Sequence, residues 1–295
     1  MTPDDARGGR LPVSVVLAAC PFRGHVSPIL SLAGGLVEAG HRVRVVTGAR
    51  YADDTAAVGA THVALASSAD IGEDELPQLF PERSGLSGLA AARFDMSRIF
   101  LDPVPGQLAT FDATCAQEPP DVVIAEPLFL AMLAYAARRA RPPVLTLGTM
   151  PILAANPAMP PVGPPLDALG PFAPTVHLAM HRLARRAGFG AVQRHARTVL
   201  RRAGEPGPRV FFLDWSLLGS DILQLTTPGF EPADGIATPL WHVGALDRAR
   251  GVGQAMATPR LVSPARLISS NASRAADNPV GRGNLRGQCS VSRGK

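Results

Sequence analysis

The sequence predicts an α/β fold with a Rossmann-like open parallel sheet and helices on both faces. Candidate strands and helices alternate from residue 13 onward, and this order implies right-handed crossovers between parallel strands. The first candidate strand, Val13–Ala19, is β-branched and almost continuously apolar, which is typical of a parallel strand covered on both faces. With 295 residues and 46% hydrophobic residues, the chain is large enough for one large domain or two small ones.

The first elements follow from hydrophobic spacing and from turn residues. Apolar residues at helical spacing predict a helix over 27–39, with Ser27 as its cap, Pro28 in its first turn and Gly40 ending it. The predicted elements of this part are strand 13–19, helix 27–39, strand 41–47, a short helix at 51–58 and strand 61–66.

The remaining elements are separated by longer polar or proline-rich segments. We predict loops at 67–87 and 150–171, and loops of that length in compact domains are usually functional or mobile. The elements predicted here are a proline-interrupted helix at 88–116, strand 121–125, helix 128–140, strand 144–147, helix 174–203 and short strands near 222–225 and 241–243. After Leu246 the periodicity stops, so we expect one domain at 10–246 and an irregular basic tail at 247–295.

Charge and hydropathy exclude several classes of partner. The net charge is +5, but nine of the 29 basic residues lie in the tail, so the predicted domain is close to neutral. A near-neutral domain gives no electrostatic reason to expect a nucleic-acid partner. No uninterrupted run of eighteen apolar residues occurs, so no membrane span is expected.

The cysteines favour a reducing compartment. Cys20, Cys115 and Cys289 lie far apart and form no CxxC pair, so neither a disulfide framework nor a cysteine-rich zinc site is predicted. We therefore expect a cytoplasmic protein. A second interpretation concerns Leu17-Ala18-Ala19-Cys20, which resembles a lipoprotein cleavage box, although its apolar run also fits a buried first strand.

The turn Pro21–Pro28 between the first strand and the first helix is the strongest candidate site. Ligands of open α/β sheets bind beyond the carboxyl ends of the strands, where this turn lies. His25 could act there as a general base, and Gly24 lies where a helix N-terminus favours negative charge. The turn is not GxGxxG, so a dinucleotide site is not indicated. A histidine that only caps or packs the turn remains the alternative.

Glu126 follows strand 121–125 directly and is the second candidate. If its strand lies near the first one, its carboxylate emerges on the same rim as His25 and can accept the second N–H of the imidazole. That contact would fix the tautomer and stabilise the imidazolium. The alternative is a surface glutamate before Pro127.

A metal site is not favoured. His177 and His181 are four residues apart on one predicted helix, but HLAMH lacks the glutamate of HExxH and no third ligand is evident.

Four ordered segments give the chain a family resemblance. They are the Gly24-His25-Val26-Ser27-Pro28 turn followed by LxxGLxxAGHRVRVVT (32–47), AAVGATHVAL (56–65), PPDVVIAEPLFLAMLAYAARRARPPVLTLGT (119–149) and LQLTTPGFEP…WHVGAL (223–246). In this order they resemble the first half of the GT-B nucleotide-sugar glycosyltransferases. The similarity is greatest to the bacterial macrolide- and antibiotic-type members of the UDP-glycosyltransferase superfamily.

The resemblance implies an acceptor-binding domain and a reaction. His25 corresponds to the family's catalytic base, which takes a proton from an acceptor hydroxyl for inverting attack on the anomeric carbon of a nucleotide sugar. Glu126 stands where the family usually has an aspartate. Gly24 would lie near the donor phosphates, and the family needs no metal or other cofactor. Plausible walls of the apolar acceptor pocket are Phe22, Phe94, Phe129, Met150 and Ile152.

The resemblance stops at Leu246, where the family continues into a donor domain that binds the nucleotide sugar. Residues 247–295 carry no such signature, and we therefore expect a truncated product or a fragment. Hexosyltransferase activity of this chain alone stays open, because transfer requires donor and acceptor to be held together. Two alternatives remain, a non-catalytic partner protein of a full-length glycosyltransferase and a remnant without function.

Overall fold

The computed structural model describes residues 12–161, 166–227, 229–230, 236–244 and 246. They form a sheet of seven strands in the order β3-β2-β1-β4-β5-β6-β7, and all the strand pairs are parallel. The strands are β1 (Ser14–Ala18), β2 (Arg42–Thr47), β3 (Thr61–Ala64), β4 (Val122–Ala125), β5 (Val144–Gly148), β6 (Asp221–Gln224) and β7 (Leu240–His242). The predicted open parallel sheet is confirmed. The predicted tail at 247–295 lies outside the described residues.

Helices cover the sheet on both faces. They are α1 (Arg23–Glu38), α2 (Ala52–Ala57), α3 (Leu76–Leu79), α4 (Gly88–Phe94), α5 (Val104–Gln117), α6 (Met132–Tyr135), α7 (Ala173–Leu183) and α8 (Gly190–Arg202). A π-helical turn, Asp95–Leu101, follows α4, and a second one, Ala184–Gly188, follows α7. Among the helices of the described part of the chain, none has both the length and the apolar character needed to cross a lipid bilayer.

The core has two layers because side chains of a strand alternate between the faces of the sheet. Val15 and Leu17 of β1 pack with the buried side of α1, whereas Val16 and Ala18 pack with the layer that contains α5 and α8. All five residues of β1 are buried, which explains why four of them are apolar. The apolar run before Cys20 is therefore this central strand.

Helix α1 begins four residues before the predicted start. Phe22, in an extended conformation, is the N-cap, so Ser27 is not a cap and Pro28 lies inside the helix. Pro28 carries no N–H, and the helix therefore lacks the bond that would reach the Gly24 carbonyl. Gly40 ends the helix as predicted, with a φ of +84° that favours glycine. The early start places His25 in the first turn of α1 rather than in a loop.

Two other predicted helices are shorter or broken. The helix predicted at 128–140 is wrong in extent, because α6 has only four residues, Met132–Tyr135. Tertiary bonds replace helical ones beside it, since Trp215 donates to the Pro127 carbonyl and the Ala131 N–H donates to Gln107. The helix predicted at 174–203 is interrupted by the turn 184–188, where Arg93 donates to the carbonyls of Ala187 and Gly188.

The segment 67–87, predicted to be a loop, contains ordered short helices. A 3-10 turn at Glu73–Glu75 leads into α3, and a second one follows at Pro81–Gly85. Glu75 accepts a hydrogen bond from the Gly72 N–H and so closes the first turn. These turns lie near the start of α1, where they contribute to the candidate site.

Candidate functional site

His25 and Glu126 lie at the carboxyl ends of neighbouring strands. Ala18 of β1 pairs with Ala125 of β4, and the Glu126 N–H continues the ladder by donating to the Ala18 carbonyl at 3.1 Å. Glu126 therefore follows the end of one strand while His25 opens the helix that follows the other. The parallel register is what brings together two residues that are 101 positions apart in the chain.

The two side chains are in direct contact. His25 Nδ1 lies 2.9 Å from Glu126 Oε2, and the Glu126 side chain is completely buried. Glu126 accepts two further bonds, from the Cys20 N–H to Oε1 at 3.1 Å and from the Leu128 N–H to Oε2 at 2.7 Å. A buried carboxylate needs such partners to remain charged. The acceptor role of Glu126 makes Nδ1–H the donor and leaves Nε2 for a ligand.

The surroundings of His25 make it a stronger base than an ordinary histidine. Burial disfavours the imidazolium, but the hydrogen bond to Glu126 and the charges of Glu126 and Glu73 outweigh burial, so the pKa of His25 is raised. The side chain of His25 is still 16% exposed, and a molecule in the adjoining cleft can reach it.

A cleft of about 800 Å³ opens beside His25. Its walls come from three regions, namely the start of α1, the short helices at 73–85 and the π-helical turn after α4. The lining residues are Phe22, Gly24, His25, Glu73, Leu76, Pro77, Phe80, Pro81, Arg83, Ser84, Asp95, Ile99 and Phe100. Most of these side chains are apolar and a few polar groups converge on the space, as in sites that bind small molecules.

The structure brings only some of the predicted wall residues to this cleft. Phe22 and Gly24 line it, and the ring of Phe22 meets that of Phe100 edge to face at 5.7 Å between centroids. Phe94 packs edge to face on Phe80 at 5.7 Å and is not among the lining residues. Phe129 is completely buried in the core.

Met150 and Ile152 line a different and much smaller cavity. It has a volume of about 20 Å³ and lies beyond the ends of β5 and β6. Gln224 of β6 donates to the Met150 carbonyl at 2.7 Å and holds the start of the proline-rich segment against the sheet.

Sequence reasoning missed Glu73, Phe80 and Phe100, which line the cleft. One signal could have revealed part of this wall, because Leu76, Leu79 and Phe80 have helical spacing inside the otherwise polar segment 67–87. Phe100 carried no comparable signal, since it lies in a π-helical turn whose periodicity differs from that of an α-helix.

The rings of His177 and His181 form hydrogen bonds to the backbone of the proline-rich segment that follows β5. His177 Nδ1 contacts the Pro157 carbonyl at 2.9 Å, and His181 Nε2 contacts the Met159 carbonyl at 3.0 Å. These contacts fasten the proline-rich segment to α7. Within the described ranges, no group of three or more His, Cys, Asp or Glu side chains is arranged to hold a metal ion.

Comparison with curated proteins identifies relatives of the chain. UDP-glucosyltransferase B1 of Starmerella bombicola is 34% identical over 166 residues, which are 52% of this chain and 38% of that protein. Over this segment the chain is similar to a UDP-glucosyltransferase. 4'-Demethylrebeccamycin synthase of Lentzea aerocolonigenes is 27% identical over 230 residues, which are 76% of this chain and 54% of that protein. No protein-family model matches the chain.

Solved structures show the same fold. The glycotransferase of kitacinnamycin superposes with a TM-score of 0.55 at 21% identity, covering 85% of this chain and 56% of that one. CalG4, the calicheamicin glycosyltransferase, gives a TM-score of 0.50 at 20% identity, covering 79% and 53%. The predicted similarity to GT-B glycosyltransferases is thus confirmed for the fold. The chain spans about half the length of the curated relatives that it matches.

Proposed function

We propose that this chain is the acceptor-binding part of a glycosyltransferase that moves a sugar from a nucleotide sugar to a hydroxyl of an apolar small molecule. The observation that carries the proposal is the 2.9 Å contact between His25 and the buried Glu126 at the mouth of a largely apolar cleft. A histidine oriented by a carboxylate beside such a cleft is equipped to remove a proton from a bound hydroxyl. The similarity to a UDP-glucosyltransferase supports this assignment.

The proposed chemistry is a single inverting displacement. The acceptor hydroxyl lies at His25 Nε2, which takes its proton while the oxygen forms a bond to the anomeric carbon. The bond from that carbon to the diphosphate oxygen breaks, and the nucleoside diphosphate leaves with the electron pair. Glu126 keeps Nδ1 protonated and stabilises the imidazolium that forms. Gly24 lines the same cleft and is proposed to lie near the donor phosphates.

The reaction is proposed to need no metal, because protein dipoles and side chains can neutralise a leaving diphosphate. Turnover that persists after treatment with EDTA is the expected result. We also propose a cytoplasmic location, which the free thiols of Cys20 and Cys115 support.

Two single substitutions, one at His25 and one at a control histidine, test whether His25 is the general base. The assay supplies a panel of nucleotide sugars and a nucleotide-sugar-binding half of a related enzyme, fused or in trans. His25→Gln is expected to lower turnover by roughly 10²–10⁴-fold, the usual contribution of a general base. His62→Gln is the control, because His62 belongs to the edge strand β3, contacts the Gly48 carbonyl at 3.0 Å and is not among the residues that line the cleft.

Two outcomes would contradict the proposal. Full turnover of the His25→Gln protein would reject His25 as the base. A chain that binds acceptor probes and co-purifies with a full-length glycosyltransferase, yet adds no turnover in any combination, would favour the non-catalytic partner instead.

A further inference from the structure

The charges along the cleft do not cancel. Arg83 and Asp95 face each other through two hydrogen bonds, of 2.5 and 2.9 Å, and neutralise one another. His25 faces Glu126. The remaining ionisable side chain on the cleft lining is Glu73, and within the described part of the chain no arginine forms an ion pair with it. Glu73 is therefore the carboxylate of the cleft lining that has no ion-pair partner among the described residues, and the guanidinium of Arg50 packs against the neighbouring Gly72.

Glu73 is held in place by the backbone. Its Oε1 accepts a hydrogen bond from the Arg23 N–H at 2.7 Å, which anchors the carboxylate at the first turn of α1. The negative charge of Glu73 stabilises the imidazolium of His25 and so contributes to the raised pKa of that residue. Glu73 is exposed and lines the cleft, so its carboxylate is accessible from the space that adjoins the proposed base.

Aromatic rings surround the same space. Phe22, Phe80 and Phe100 all line the cleft, and Phe100 lies 6.0 Å from the His25 ring between centroids. The face of an aromatic ring attracts a cation, and Arg98 already lies over the Phe80 ring at 6.0 Å. A carboxylate together with aromatic rings is a combination that recognises an organic ammonium group.

We propose that the acceptor carries a protonated amine next to its apolar frame, with the ammonium bound by Glu73 and the aromatic rings while a hydroxyl meets His25. This inference rests on the proposed function for its use in sugar transfer and deepens it by naming the acceptor class. Glu73 would then be a specificity-determining residue rather than a catalytic one.

Two probes that share one aromatic frame and differ in carrying an ammonium or a hydroxyl group test the effect of the ligand's charge on binding. Binding of 1-naphthylmethylamine and 1-naphthylmethanol to the full chain is measured by calorimetry at neutral pH, where the amine is protonated. We expect the wild-type protein to bind the amine about five- to twentyfold more tightly, the range for one exposed carboxylate with aromatic neighbours. Glu73→Gln keeps the acceptor atom for the Arg23 N–H and removes the charge, so the preference should disappear while the alcohol binds as before.

Asp74→Asn is the matched control. Asp74 adjoins Glu73 in the same turn but is 92% exposed and pairs with Arg50, so its loss should leave the preference intact. Equal binding of both probes by the wild-type protein would overturn the inference and leave the acceptor cleft standing. The inference would also be overturned by an amine preference that survives in Glu73→Gln. Failure of both probes to bind would contradict the cleft itself, and with it the proposed function.

Discussion

The two sides of the cleft are built in different ways. On the sheet side, Glu126 is completely buried and holds three hydrogen-bond donors, the ring of His25 and the N–H groups of Cys20 and Leu128. On the other side, the wall 72–101 consists of turns and helices of three to seven residues with many exposed side chains. The sheet thus fixes the groups that would do the chemistry, while the short elements determine which molecule fits beside them.

The two sides also differ in the forces that hold them. The sheet side depends on buried hydrogen bonds to backbone groups, which are costly to leave unpaired. The wall depends on half-exposed ion pairs such as that between Arg83 and Asp95, which solvent and salt weaken. Substitutions on the sheet side should therefore have large effects on activity and stability, whereas those in the wall should change mainly ligand affinity.

Among the substitutions that test this contrast between the two sides, Glu126→Gln is expected to have the largest effect. The amide keeps the shape but removes the charge that raises the pKa of His25, so the ring becomes a weaker base and its imidazolium loses stabilisation. We expect turnover at its plateau to fall by about 100-fold, within the range for general-base catalysis. The limb of the pH profile on which turnover rises should move to lower pH, because His25 loses its proton more easily.

Glu38→Gln is the control, since Glu38 is exposed at the opposite end of α1. A profile that stays in place with Glu126→Gln would show that the carboxylate does not tune the base. Glu126→Asp adds a comparison with the residue usual in the family. The shorter side chain cannot keep all three of its bonds, so an intermediate loss is expected.

The sheet side could be predicted from the sequence, whereas most of the wall could not. β4 is an uninterrupted apolar run, and Glu126 follows it directly. The alternation of strands and helices predicts that β1 and β4 run parallel, so that both carboxyl ends lie at the same edge of the sheet. The wall depends on contacts that no local pattern encodes, such as the bond from Arg23 to Glu73, fifty residues away. Phe129, which the resemblance suggested as a pocket wall, is completely buried in the core, because the segment that precedes α6 packs against α5 and Trp215.

The next largest effect is expected when Gln107 of α5 is replaced. Gln107 is buried and contacts Cys20, whose N–H donates to Glu126. Its Oε1 accepts from the Ala131 N–H at 3.2 Å, and its Nε2 donates to the Cys20 sulfur at 3.7 Å. Gln107→Leu leaves the Ala131 N–H without its partner, so the free energy of unfolding should fall by about 1–3 kcal/mol. Urea titration measures the change.

Gln117→Leu serves as the control, because Gln117 is exposed at the end of the same helix. If both variants unfold at the same urea concentration, the buried hydrogen bonds do not distinguish the sheet side from the wall.

A smaller effect is expected from Phe100→Ala in the wall. The substitution removes an aromatic ring from the cleft lining, and the contact of such a ring with a bound naphthyl group is worth about 1 kcal/mol. Binding of 1-naphthylmethanol should therefore weaken about fivefold. Phe172→Ala is the control, since Phe172 is 71% exposed and lies outside the cleft lining. Unchanged binding by the Phe100 variant would show that the ligand lies elsewhere.

The smallest expected effect is that of Asp102→Asn, which tests how the wall is fastened to the domain. Asp102 follows the π-helical turn that carries Phe100, and it contacts His195 of α8 at 2.6 Å and Arg98 at 2.7 Å. These groups are about one third to one half exposed, so the loss should be about 0.5 kcal/mol in the free energy of unfolding and should vanish in about 1 M salt. A loss above about 2 kcal/mol that salt does not reduce would mean that the wall is held as firmly as buried networks are. The contrast between a rigid sheet side and an adaptable wall would then fail, because both sides would be fixed by interactions that water does not reach.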